Sequence, residues 1–166
     1  MKFRVDRETF ADAVGWSGRT LPARPAQPML SGLRLECTEA STLSIASYDY
    51  EVSGRVDVVA DVADPGVSLV NGRLLVDIAK SLPAQPVIVE LDGTRLRLMC
   101  GRSTFELPTL PVEDYPPLPV MPDSSGTVPG GVLAAAVSQV AVAAGRDESL
   151  PFLTGVRLEV DGDSVT

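Results

Sequence analysis

With 166 residues, 45% of them hydrophobic and 22% charged, the chain has enough apolar material for about one packed domain and is not a disordered polypeptide. Histidine is absent, which excludes imidazole bases, histidine-dependent triads and histidine metal sites. The formal net charge of −8, from 14 basic and 22 acidic residues, argues against simple electrostatic binding of nucleic acid.

The elements follow in chain order. Met1–Val5 alternates as a short strand, and Asp6 is placed to cap a helix in which Phe10, Ala13 and Val14 recur at helical spacing before Gly18 ends it. A loop with Pro22, Pro25 and Pro28 leads to strands over Leu30–Glu36, Thr42–Ser47 and Val52–Val59. The order then repeats. Val67–Val70 is a strand, Arg73–Leu82 a helix stopped by Pro83, and Val87–Leu91 and Leu96–Met99 flank the hairpin signal Asp92-Gly93. Thr104–Leu107 completes an α+β domain of two tandem β-α-β-β-β units, with antiparallel sheets on one side of two helices. Domain one is expected over 1–107. Pro108, Pro111, Pro116, Pro117, Pro119 and Pro122 mark 108–123 as a linker.

A shift of 123 residues turns Pro28-Met29-Leu30-Ser31-Gly32-Leu33-Arg34-Leu35-Glu36 into Pro151-Phe152-Leu153-Thr154-Gly155-Val156-Arg157-Leu158-Glu159. The same shift maps Val5 on Val128, Phe10 on Leu133, Ala13 on Ala136 and Val14 on Val137. One ungapped register across strand, helix and loop is an internal repeat of a domain. A second copy is expected over 124–166, about a third complete, as part of a longer protein. Its helix, roughly Val132–Ala144, has no charged residue, and Leu133, Val137 and Val140 share a face that needs a partner.

No apolar run reaches the roughly 18 residues of a membrane span. Asp6, Glu8 and Asp12 interrupt the first twelve residues, so no export signal is read there and the cytoplasm is the expected compartment. Cys37 and Cys100 have no CxxC partner and are expected as inert buried thiols. The cations are unevenly placed. Residues 1–25 hold Lys2, Arg4, Arg7, Arg19 and Arg24 against Asp6, Glu8 and Asp12, a basic region on an acidic body.

Tandem β-α-β-β-β pairs with a Pro-rich link resemble the bacterial DNA sliding clamp, the beta subunit of DNA polymerase III. Met1-Lys2-Phe3-Arg4-Val5 with Arg7-Glu8, Arg24-Pro25 before Pro28-Met29-Leu30, and Gly101-Arg102-Ser103 with Phe105 resemble that family in order and spacing. So do Thr109-Leu110-Pro111 and Asp114-Tyr115-Pro116. The resemblance covers essentially the whole chain, as domain one and the start of domain two. It implies a ring of two three-domain chains joined head to tail, helices lining the hole and sheets outside. Such a ring does no chemistry and needs no cofactor or metal. It encircles duplex DNA without sequence preference, tethers the replicative polymerase catalytic subunit, and is opened by an ATP-driven clamp loader.

The resemblance places Arg24 at a position that touches DNA and Arg73 at a basic position of the second pore helix; Lys80, seven residues on, shares that helix face. Arg7 and Arg19 are further DNA-binding candidates, offset by Glu8 and Asp12. Leu74, Ile78, Arg102, Phe105 and Leu107 match the subunit interface, with one of Leu74 and Ile78 expected in the core and Arg102 and Phe105 the better interface candidates. Leu153 and Thr154 match the border of a cleft that takes apolar peptides from polymerases and loaders. In the second copy, Ser138 and Gln139 would line the hole. Trp16 is expected to pack, and Glu113-Asp114 to be solvated rather than catalytic. A small enzyme finds no support, since no phosphate loop, nucleophile motif or metal set is present. A clamp-like decoy that binds partners without encircling DNA is the alternative.

Overall fold

Alternation in Lys2–Val5 (β1) turns Phe3 and Val5 inward, and the chain then enters a helix, Arg7–Ser17 (α1). Asp6 caps it: one carboxylate oxygen accepts from the Glu8 and Thr9 amides at 3.0 and 3.1 Å. These bonds, the Thr9 amide above all, hold the Asp6 carboxyl below the ordinary range of aspartate. Phe10, Ala13, Val14 and Ser17 form the buried stripe. A Cβ at Gly18 would come within 2.5 Å of Val76, so the absence of a side chain there lets the end of α1 approach a second helix, Gly72–Ser81 (α2). Asn71 caps α2 by accepting from the Leu74 amide at 3.0 Å.

This computed structural model describes residues 1–120, 123, 126–147, 149–162 and 164–166 in two units, Met1–Val120 and Met121–Thr166. Pro122, at the expected end of the linker, and Ser124, the expected start of the second copy, lie outside the described residues.

In the first unit the strands are β1, then Gly32–Thr38 (β2), Thr42–Tyr48 (β3), Ser53–Val59 (β4), Asp61–Asp64 (β5) and Gly66–Asn71 (β6). After α2 come Val87–Asp92 (β7), Arg95–Cys100 (β8) and Ser103–Leu110 (β9). All pair antiparallel in the order β4-β3-β2-β6-β9-β8-β7-β1-β5. The two β-α-β-β-β units are interleaved. β6, which opens the second, pairs with β2 of the first, and β1, which opens the first, pairs with β7 of the second. Both helices bury their apolar stripes against these strands in one core, with Phe3, Phe10, Leu35, Ile45, Leu75, Val89 and Leu98 at its centre.

Three details differ from the sequence reading. Leu30 belongs to a 3-10 turn, Pro28–Ser31, and the strand starts at Gly32. Strand β5 is additional, because Asp61-Val62-Ala63-Asp64 carries little apolar alternation to signal it; Phe3 pairs with Val62, and the Met1 ammonium meets the Asp64 carboxylate at 2.7 Å. Strand β9 runs through Pro108 to Leu110, three residues into the segment expected as linker. Pro108 lies where β9 leaves β8; beyond it Thr109 and Leu110 pair with Val70 and Leu69 of β6.

Tyr115 is buried and pins the Pro-rich segment to the first unit, its hydroxyl accepting from the Tyr48 amide at 2.7 Å. Tyr115→Phe keeps the ring and removes this bond, so it should cost about 1 kcal/mol in thermal unfolding. Burial raises the phenol above its ordinary pKa, meaning the fold favours the neutral form. The contribution is therefore complete below pH ~10 and is lost as pH rises through the raised value. The gap between wild type and Tyr115→Phe should narrow in alkaline titrations followed by circular dichroism.

In the second unit a helix, Gly130–Val140 (α3), is followed by 3-10 turns at Ala141–Ala143 and Pro151–Leu153 and by strands Val160–Asp161 (β10) and Ser164–Val165 (β11). The 123-residue register holds in detail. Shifted, α1 lands on α3 and the Gly18–Thr20 turn on Ala141–Ala143. The Ser31 hydroxyl donates to the Pro28 carbonyl at 2.6 Å, and Thr154 donates to Pro151 at 2.8 Å. The register slips by one at the hairpin, where Asp161 pairs with Ser164 whereas Thr38 pairs with Thr42.

Val128 and Val156–Leu158, the register positions of β1 and of the middle of β2, are not in strands, whereas Glu159 exchanges backbone hydrogen bonds with Thr166 at 2.8 and 2.9 Å and Val160–Asp161 follows as β10. β1 is held between β5 and β7, and β2 between β3 and β6. Counterparts of β5, β6 and β7 would fall beyond residue 166. Leu133, Val137 and Val140 share a face as expected, and with Phe152 they line an open apolar cleft of about 430 Å³. Leu133 is 38% exposed and Phe152 77%.

Candidate nucleic-acid interface

Helices α1 and α2 lie antiparallel, the start of α1 tied by an arginine to the end of α2 and the start of α2 tied by another to the loop beyond α1. Arg7 in the first turn of α1 donates through Nε to the Leu82 carbonyl at 3.2 Å and through Nη2 to Lys80 at 3.4 Å. A guanidinium there satisfies open carbonyls at the negative end of the α2 dipole. Arg73 in the first turn of α2 donates through Nη2 to the Pro22 and Ala23 carbonyls, at 3.0 and 3.2 Å. It thereby holds the loop that carries Arg24. Both arginines lie in the first turn of their helix, but Arg7 bonds carbonyls at the end of α2 whereas Arg73 bonds the loop beyond α1.

Arg19, Arg24 and Lys80 are exposed, and their side chains make no hydrogen bond or ion pair among the described residues. The sheet differs. Lys2 pairs with Glu90 at 3.5 Å, Arg34 with Glu36 at 2.6 Å and Arg55 with Asp57 at 3.0 Å. Glu106 bridges Arg97 and Arg95 at 3.2 and 3.1 Å, and these two guanidinium groups, Arg97 first, hold its carboxyl below the ordinary range. Among the described strand residues only Arg4 lacks a carboxylate partner. The strand cations are thus paired with carboxylates, Arg4 excepted, whereas Arg19 in the 3-10 turn after α1, Arg24 in the following loop and Lys80 in the last turn of α2 are left available, as is Arg102 in the β8–β9 turn. The acids of the two helices are Glu8, Asp12 and Asp77, all exposed.

Residues 1–119 match the family described as DNA polymerase III beta subunit, N-terminal domain. The chain belongs to this family. It is 57% identical over 166 residues to a beta sliding clamp of Streptomyces coelicolor, covering all of this chain and 44% of that protein. It is 52% identical over 166 residues to one from Micrococcus luteus, covering all of this chain and 53% of that protein. The crystal structure of the DNA polymerase III subunit beta from Pseudomonas aeruginosa superposes with a TM-score of 0.88 at 31% identity, over 99% of this chain and 45% of that one. The chain therefore spans about half the length of the curated beta clamps it matches, and its antiparallel sheet with two helices is the clamp fold.

The remaining residues named from the beta-subunit resemblance divide by burial. Leu74 is 45% exposed, Arg102 is exposed and Phe105 is half-buried. Of the pair Leu74 and Ile78, the one in the core is Ile78, at 9% exposure, and Leu107, expected at a subunit interface, is instead a core residue at 0%. Ile78 follows Leu75 on the inner stripe of α2, and Leu107 is on the inward alternation of β9. From Ser103 to Leu107 one edge of β9 has no partner strand among the described residues, because β9 meets β6 only at Thr109 and Leu110. Leu153, 53% exposed, sits in its 3-10 turn with Thr154 immediately after it. Cys37 and Cys100 are buried and unbonded to each other, and burial pushes the Cys37 thiol up to about 11. Trp16, expected to pack, is 46% exposed on α1. Apart from the tandem repeat itself, no sequence signal marks the Arg7 and Arg73 anchors, since their partners lie 75 and 51 residues away.

Proposed function

We propose that the chain supplies the first domain and the opening of the second in a non-catalytic, cytoplasmic DNA sliding clamp of the replicative polymerase. The clamp encircles duplex DNA as a head-to-tail ring of two chains. It tethers the polymerase catalytic subunit and is loaded by a separate ATP-driven loader. The observation that supports this reading most directly is the contrast between the carboxylate-paired strand cations and the unpaired Arg19, Arg24 and Lys80 on and beside the helix pair. Topology holds the DNA, so phosphate contacts need only be few and exchangeable. Arg24, Arg19 and Lys80 can supply them without reading bases, while the acidic remainder repels DNA from other surfaces. Arg73 presents Arg24 by fixing the Pro22–Ala23 backbone, and Arg7 keeps the helix pair in register. Leu74, Arg102 and Phe105, beside the open β9 edge, are suited to meet a partner chain. Leu153 and Thr154 would border the cleft for partner peptides.

In the full-length clamp, Arg24→Ala with Arg73→Ala should weaken loading on nicked circular DNA. The slope of log affinity against log salt should become shallower by about 0.9 for each phosphate the variant no longer neutralises. Because Arg73 carries two carbonyl hydrogen bonds, the pair should cost about 1 kcal/mol of stability. Wild-type loading by the double variant at low salt would remove these residues from the DNA surface. A full-length protein released equally from circular and linearised DNA would overturn encirclement.

A further inference from the structure

The helix pair carries a feature that phosphate binding does not use. Trp16 is 46% exposed in a groove of about 750 Å³ between α1 and α2, whose walls include Arg7, Arg19, Lys80 and Asp12. A volume of that order suits a small ligand, within the ~300–1,000 Å³ range of ligand clefts. Gly15 leaves the surface beside Trp16 bare, since a Cβ there would touch nothing within 4 Å. An exposed indole among cations free of ion pairs is the combination that binds single-stranded nucleic acid. The ring stacks on a base while the cations follow the backbone, with little sequence preference. A base inside a duplex is stacked on both faces and cannot offer one to an indole. Asp12 is the one anion in the groove and favours a base over a phosphate in its immediate vicinity.

We propose that Trp16, with Arg19 and Lys80, forms a stacking site for an unpaired nucleobase, so that this face holds single-stranded DNA in preference to duplex. The inference rests on the reading that the helix pair faces DNA, and it adds a ligand class and a residue to that reading.

Trp16 is the only tryptophan in these 166 residues, so its emission reports the site directly. Short oligothymidylate titrated into the 166-residue chain at low salt should quench it. A duplex of the same length should do so weakly, and inorganic polyphosphate not at all. Trp16→Leu should lower affinity for labelled oligothymidylate about tenfold by anisotropy, toward the low end of what stacking one base contributes. Trp16→Phe should keep most of the affinity, and Arg19→Ala or Lys80→Ala should flatten its salt dependence. Unchanged emission at saturation, or no binding at all, would overturn the stacking site. Equal quenching by duplex would overturn the preference for unpaired bases, and quenching by polyphosphate would reduce the groove to an anion site. Retention of the full-length protein on circular DNA is a separate measurement, so the stacking site can fail while the clamp reading stands.

Discussion

Phe10→Ala should destabilise the chain by about 3–5 kcal/mol, a large part of the ~5–15 kcal/mol that holds a typical domain. Leu133→Ala, at the equivalent place 123 residues later, should change stability by about 0.5 kcal/mol or less. The chemistry is similar, a large apolar side chain cut back in a helix. The difference lies in the cover: Phe10 is fully buried beneath the sheet, whereas Leu133 is 38% exposed in an open cleft. Denaturant unfolding of the two variants of the 166-residue chain decides it. A Leu133→Ala cost close to that of Phe10→Ala would mean that the α3 face is already covered in solution. In the full-length protein, where the repeat implies a covering sheet, the two costs should converge.

Gly32→Ala should cost about 1–3 kcal/mol, against the gain that replacing glycine in a strand ordinarily brings. Its backbone is ordinary extended chain, so strain is not the reason. A Cβ there would stand 2.6 Å from Leu69 Cδ1 and 2.9 Å from the Met29 carbonyl oxygen. The leucine can rotate, but the carbonyl is fixed by the 3-10 turn before β2. Gly155, its counterpart in the repeat, has nothing within 4 Å of such a Cβ. Gly155→Ala should therefore be neutral, or stabilising by up to about 1 kcal/mol through the unfolded state. Thermal melts of both variants test the contrast. A neutral Gly32→Ala would show that the start of β2 yields more readily than its packing suggests.

Local signals carry most of the fold. The Asp6 cap, the Phe10-Ala13-Val14 stripe, the Asp92-Gly93 turn and the 123-residue repeat all depend on neighbouring residues or on self-similarity, and each corresponds to a described element. What escapes them depends on distant partners. β5 is a strand because β1 lies beside it, and Pro108 is in a strand because β9 changes neighbours there. In the second copy the relation reverses: Val128 and Val156–Leu158 have strand-like sequences but pair with no strand among the described residues. The candidate site divides the same way. Exposure of Arg24, Arg73 and Lys80 is legible from helix and loop placement. Burial of Ile78, exposure of Trp16 and the capture of the Pro22 and Ala23 carbonyls by Arg73 require the packing of α1 against α2, and burial of Leu107 the pairing of β9 within the sheet.

The interleaving of the two β-α-β-β-β units also sets an order of events during synthesis. β1 leaves the ribosome first, but β7, one of the two strands that hold it, starts 82 residues after β1 ends. β2 likewise waits for β6. No stable half-domain can close early, and Phe3, Phe10 and Leu35 stay open to water or to chaperones until residue 92 has emerged. Nascent chains stalled before that point should be digested by proteases throughout, and chains stalled after Leu110 should become resistant in one step. A fold assembled from exchanged strands forms all at once or not at all, with the slow closure that long-range pairing entails.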